Sequence, residues 1–143
     1  MNKENIFKHI EEVEIPPQIV KTKKRINKSY VKIGMFIKMI ANIDLFIEKF
    51  KIELKEENLD IDEEILVENV KKLFYTRAYG HLSQINFNNN SQIKIANKFE
   101  SKILKNSFNK ALNFFEYIED YDKCYFINEM MKKIKDQNKN LDM

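Results

Sequence analysis

Residues 71–81 read KKLFYTRAYGH, and two kinds of chemistry suggest themselves there. Arg77 and His81 stand four apart, a spacing that puts both on one side of a helix. Lys71, Lys72 and Arg77 also make a short cationic run. Lys71 and Tyr75 share a face with Tyr79, so a ring could lie beside a phosphate-binding cation. Elsewhere the chemistry is sparse. The chain has no Gly-rich phosphate loop, no His-Glu metal motif and no nucleophile elbow. His9 and His81 lack ligand-spaced partners, and the EDYD run at 119–122 lacks the further oxygen donors of a calcium loop. That run reads as the solvated face of an amphipathic helix. The single cysteine, Cys124, excludes an internal disulfide and a Cys-based zinc site. No catalytic residue, metal or cofactor is expected.

The elements that must position these residues are helical. Gly34 and Gly80 are the only glycines and no proline follows Pro17, too little punctuation for an all-β fold. From Ser29, a credible N-cap, Ile33, Phe36, Ile37, Ile40, Ile43, Ile47, Phe50 and Leu54 mark one face of a long helix. Gly34 costs that helix up to about 1 kcal/mol relative to alanine, so close packing is expected beside it. Asp60 or Asp62 caps a second helix with Ile65 or Leu66, Val70, Leu73 or Phe74, and Ala78 inward, and Gly80 reads as its left-handed C-cap. LSQINFNNN is a loop. Ser91 caps a third helix, with Ile93, Ala96, Phe99, Ile103 and Leu104 buried. A fourth runs from about Phe108 to Lys135, burying Ala111, Leu112, Phe115, Ile118, Tyr121, Phe126 and Met130; whether it joins the third near Asn106 stays open. The fold expected is an all-α bundle of four long helices plus a short N-terminal helix at residues 4–13. Residues 1–28 then form the short helix and a basic lead-in, 29–136 the bundle domain, and 137–143 a frayed tail.

With 143 residues, 43% apolar and 33% charged, the chain is one domain with a heavily charged exterior. No run approaches the roughly 20 apolar residues that cross a bilayer, and the N-terminus lacks the apolar stretch of a signal peptide. A cytoplasmic protein with no membrane partner is expected. Its net charge of +3 is unevenly spread. Residues 21–38 hold seven Lys or Arg and no acid; 44–68 hold ten acids against three lysines; 71–110 hold eight Lys or Arg against Glu100 alone. Such blocks favour a polyanion on one side or self-association of unlike faces. The cationic candidates are Lys32 and Lys38 on the first helix, Lys71, Lys72 and Arg77 on the second, and Lys94, Lys98, Lys102 and Lys105. At four-, four- and three-residue spacing those last four form one exposed stripe on the third helix.

These residues resemble a family, the small helical subunit of type III-A CRISPR effector complexes. There a helix carries lysines followed by aromatics, then Ala and Gly, matched here by KKLFYTRAYGH. About 40 residues on comes an aromatic–acid–aliphatic segment with a following Tyr and Lys, matched by FFEYIEDYDKCY at 114–125. The long helix VKIGMFIKMIANIDLF at 31–46 sits where the family also has one, and the likeness covers about residues 30–125. Two departures stand out: His81 follows the glycine where the family favours arginine, and Gly34 stands where it favours a basic residue. The resemblance implies a non-catalytic role. Several copies would self-associate into an inner filament, contact guide and target RNA, and adjoin the large signalling subunit and the backbone subunit. Sequence would be read by base pairing, so the protein needs only backbone affinity and shape.

Two other classes fit parts of the pattern. Helical ribonucleases or toxins of the HEPN class use an Arg and a His from two protomers, with four to six residues between; here three, AYG, separate Arg77 and His81. A helical adaptor that binds only protein would leave the lysines idle.

Overall fold

In the computed structural model, which describes residues 24–58 and 62–141, the described residues form five helices and no strand. They are α1 (Lys24–Glu57), α2 (Glu63–Leu82), α3 (Asn90–Ala96), α4 (Ser101–Tyr117) and α5 (Tyr121–Leu141). The all-α expectation is met, and four of the five helices are long. The short one, α3, lies inside the chain. The short N-terminal helix expected at residues 4–13 lies outside the described residues.

The spine is α1, 34 residues and about 51 Å long. Its apolar face buries Ile33, Phe36, Ile40, Ile43 and Ile47, as the spacing predicts, and adds Met35, Met39 and Phe46. On this spine pack α2, α3 and α4, while α5 closes the bundle against α3 and α4. Phe36, Phe74 and Phe115 are wholly buried, one from each of α1, α2 and α4. Each sits in its own ring cluster, with Phe36 at 5.5 Å from Phe108, Phe46 at 5.4 Å from Phe74, and Tyr75 at 6.3 Å from Phe115.

The helix ends follow local chemistry, with corrections to the sequence reading. Ser29 caps nothing: α1 is already helical from Lys24, and Ser29 is buried within it. Asp62 does cap α2, its Oδ1 accepting from Glu64 N at 3.0 Å and Ile65 N at 3.3 Å. Gly80 is not a left-handed cap, since no described glycine has positive φ and α2 continues to Leu82. Its carbonyl instead accepts from Ser83 Oγ and Gln84 Nε2 beyond the helix end. Asn89, rather than Ser91, caps α3. Residues 137–141, expected to fray, belong to α5.

Two breaks divide what the periodicity suggested were continuous helices. The third helix stops at Ala96 and restarts at Ser101. The fourth is interrupted at 118–120, so EDYD forms a helix junction and the opening of α5, not a face within one helix. There Asp120 N donates to Phe115 O and Glu119 N to Glu116 O, with Glu119 at φ 62°. This is the double hydrogen bond of a Schellman ending, with glutamate where glycine is usual. Two burial expectations fail, since Ile103 and Tyr121 are exposed. Of the alternatives on α2, Phe74 is buried and Leu73 exposed, and Tyr75, on the neighbouring line, is buried against α4.

Candidate nucleic-acid interface

Helix direction decides where the charges go. The pairs Phe36–Phe108 and Asp44–Lys110 show α1 and α4 running the same way. The short connection between Glu57 and Glu63 turns α2 back along α1, and Glu68 meets Tyr117 while Tyr75 meets Phe114, so α2 runs against both. Helix α5 returns along α4, its Lys123 lying over the Phe115 ring and its Gln137 donating to Asn90 O at 3.1 Å. One end of the bundle therefore gathers the first half of α1, the last turns of α2, all of α3, the start of α4 and the close of α5.

That end is cationic. Lys94, Lys98, Lys102 and Lys105 are all exposed there, beside exposed Lys28 and half-buried Lys32 and Lys38. They do not form one helix stripe: Lys94 is on α3, Lys98 in the following turn, and Lys102 and Lys105 on α4. The turn folds them around the end of the bundle instead. Helix α5 adds Lys132, Lys133 and Lys135. The MMKKIK run at 130–135 was the signal for these three, but only the antiparallel return of α5 shows which end they join. Against these stand Glu100, Glu129 and Asp136. Exposed Arg77 and half-buried His81 share a face of α2 near this end, and both are engaged in contacts, as is Lys38.

Lys71 and Lys72 are set apart from that group. Lys71 lines a groove of about 810 Å³ between α1, α2 and α4, among Asp44, Glu63, Glu64 and Glu68. Lys72 faces the α4–α5 junction with Glu119, Asp120 and Asp122. Asp120 accepts from Lys123 Nζ at 2.6 Å, and that bond, helped by the charge of Lys72, holds its carboxyl below the ordinary range. Within the groove Lys110 pairs with Asp44 at 2.7 Å. Tyr75 stacks on Phe114 with centroids 4.3 Å apart, and burial, with the Asp44 charge, pushes its phenol up to about 12. It is a core ring, not a partner for phosphate. Tyr79 packs edge-on against Phe115 and Phe126 with Lys123 over its ring, so it too is enclosed by neighbours. Tyr117 remains exposed, its hydroxyl donating to Glu68, which raises its pKa.

No group of three or more metal-ligating side chains occurs among the described residues, and Cys124 is a buried free thiol. Burial, with the charges of Glu116 and Asp120, raises the pKa of its thiol. No described helix is long and apolar enough to cross a membrane. No protein-family model, curated protein or solved structure matches the chain.

Proposed function

We propose that this chain is a non-catalytic helical subunit that contacts RNA through its phosphates, in the manner the resemblance to type III-A CRISPR small subunits implies. The observation that carries the proposal is the gathering of Lys28, Lys32, Lys94, Lys98, Lys102, Lys105 and the α5 lysines at one end, drawn from three stretches distant in sequence. Lysines scattered by a Lys-rich composition alone would have no reason to converge. Exposed cations of this kind neutralise phosphates and release counterions without discriminating between bases. Arg77 borders this surface, and Lys71 and Lys72 take a lesser part because acids surround them.

Partners follow from the same charge separation. The acidic second half of α1 and first turns of α2 complement the basic end, so unlike ends of two copies can meet head to tail, a contact that propagates instead of closing. Charge reversal at Glu63, Glu64 and Glu68 is expected to weaken self-association at low salt; unchanged sedimentation would count against it. Guide and target RNA, the backbone subunit and the large signalling subunit are the remaining partners of this proposal, in the cytoplasm.

The test is binding of the purified chain to labelled guide–target duplex and to single strands across a salt series, with the RNA checked for cleavage. A surface neutralising about six phosphates loses on the order of a thousandfold in affinity between 50 and 200 mM salt. A Lys94→Ala/Lys98→Ala/Lys102→Ala variant should flatten that slope. Absence of binding at low salt favours the protein-only adaptor. Cleavage lost on Arg77→Ala favours the HEPN-like ribonuclease.

A further inference from the structure

The basic end carries more than charge. On α1, Tyr30 remains 36% exposed although its ring is stacked on Phe99, with centroids 4.7 Å apart and planes 17° from parallel. Beside this pair lies an apolar slot of about 270 Å³ whose lining includes Tyr30, Gly34, Ile37, Lys38 and Phe99. Its volume falls just below the roughly 300–1,000 Å³ of sites for drug-sized ligands. The glycine keeps it open. A Cβ at Gly34 would touch Phe99 at 3.7 Å without clashing, and any longer side chain would extend into the slot. Lys98 precedes Phe99 directly, and Lys94 and Lys102 flank the same turn, all exposed.

We propose that this slot holds an unpaired base of a single-stranded nucleic acid, with the surrounding lysines on the adjoining phosphates. The inference rests on the phosphate-contacting reading above and adds a preference for single strands. A surface that met only phosphates would gain nothing from a half-exposed aromatic ring set among cations. Every base presents a π-face, so stacking on a tyrosine is tolerant of sequence, and a groove of cations with such a platform is how single strands are held. The Phe99 stack fixes the plane of Tyr30 in advance, which lowers the ordering cost of binding. In a duplex the base faces are already stacked on one another and cannot enter.

The experiment uses the full chain and fluorescence anisotropy with three labelled probes of about 12 nucleotides: an oligouridine, the same backbone with abasic sites, and an RNA duplex. The oligouridine should bind about tenfold more tightly than the abasic strand, the gain expected from one stacked base. Tyr30→Ala and Gly34→Leu should remove that preference while leaving abasic binding unchanged, and Tyr30→Phe should keep it. Gly34→Leu gains helix propensity but sets a larger side chain against Phe99, so circular dichroism and a urea midpoint check that each variant is folded. Equal binding of oligouridine and abasic strands overturns the base slot while leaving the phosphate reading standing. A preference that survives both Tyr30→Ala and Gly34→Leu overturns the assignment to this site. No binding of any probe at low salt overturns both readings.

Discussion

Replacing Gly34 with alanine should stabilise the protein, although the glycine sits where another element packs against α1. Two contributions set the size. An interior glycine costs a helix about 0.8–1.0 kcal/mol relative to alanine. The new methyl would lie 3.7 and 3.8 Å from two carbons of the Phe99 ring, ordinary contact distances. Burying it in part adds a fraction of the roughly 0.8 kcal/mol of a fully buried methylene. The sum is about 1–1.5 kcal/mol, or a melting temperature higher by some 3–6 °C for a domain of this size. Gly80 supplies the control, because nothing lies within 4 Å of a Cβ built there. Gly80→Ala should gain only the propensity part, reduced because the residue is in the last turn of α2. Urea unfolding followed by circular dichroism, at unchanged m-value, measures both. A lower midpoint for Gly34→Ala would refute the reasoning, since it would mean that Phe99 packs against the helix more closely than van der Waals contact allows.

Three further outcomes test the interior and the α4–α5 junction. Phe74→Ala should cost about 3–5 kcal/mol and Leu73→Ala less than about 1, because Phe74 is fully buried and Leu73 is 46% exposed; the reverse order in chemical denaturation would mean that α2 is turned the other way. Glu119→Gly should stabilise by up to about 1 kcal/mol, as relief of a left-handed non-glycine residue outweighs the extra freedom of glycine in the unfolded chain; a loss of stability in the same assay would rule out the Schellman ending. Asp120→Asn keeps an acceptor for Lys123 N but loses the charge pair with Lys123 Nζ. The folded carboxyl titrates below its ordinary 3.8, so the pair's contribution is full above about pH 4 and fades as pH falls below it. The variant should therefore trail the wild type by no more than about 1 kcal/mol at pH 7, allowing for solvent screening, and the gap should narrow as pH falls below 3.8; a deficit that stays unchanged in acid would show that the charge pair is not its cause.

Much of the fold was legible because α1 carries one regular apolar line and α2 a clear helix start. The line Ile33, Phe36, Ile40, Ile43, Ile47 could belong only to one buried helix face, and Asp62 with Glu63 and Glu64 announced the start of α2. What failed was punctuation. The chain ends α4 with a left-handed glutamate and α2 with a serine, so Gly80, read as a left-handed cap, marks no ending, while Phe99 supplies the close packing expected beside Gly34. Tyr75 was misplaced for a different reason: its burial depends on Phe114, 39 positions away in sequence, and no local pattern reports that stack. The candidate site was half legible. Lys94, Lys98, Lys102 and Lys105 were visible as a cluster, but their meeting with α1 and α5 depends on the turn after α3, and Tyr30 gained its significance only beside Phe99.

The net charge of +3 describes neither end of this molecule. Helix α1 alone spans about 51 Å, several times the roughly 8 Å over which exposed charges feel one another at physiological salt. The acidic residues of its second half therefore do little to weaken the attraction of a polyanion to Lys28, Lys94, Lys98 and Lys102. By the same screening, a phosphate backbone held at the basic end leaves the groove around Glu63, Glu64 and Glu68 available to a cationic surface. Binding at the two ends is then electrostatically independent at physiological salt and becomes coupled only as salt is lowered and the screening length grows. The proposed function therefore allows a nucleic acid at one end and a basic partner at the other at the same time. That combination needs the two charges to be far apart, and the parallel course of α1 and α4 keeps them so.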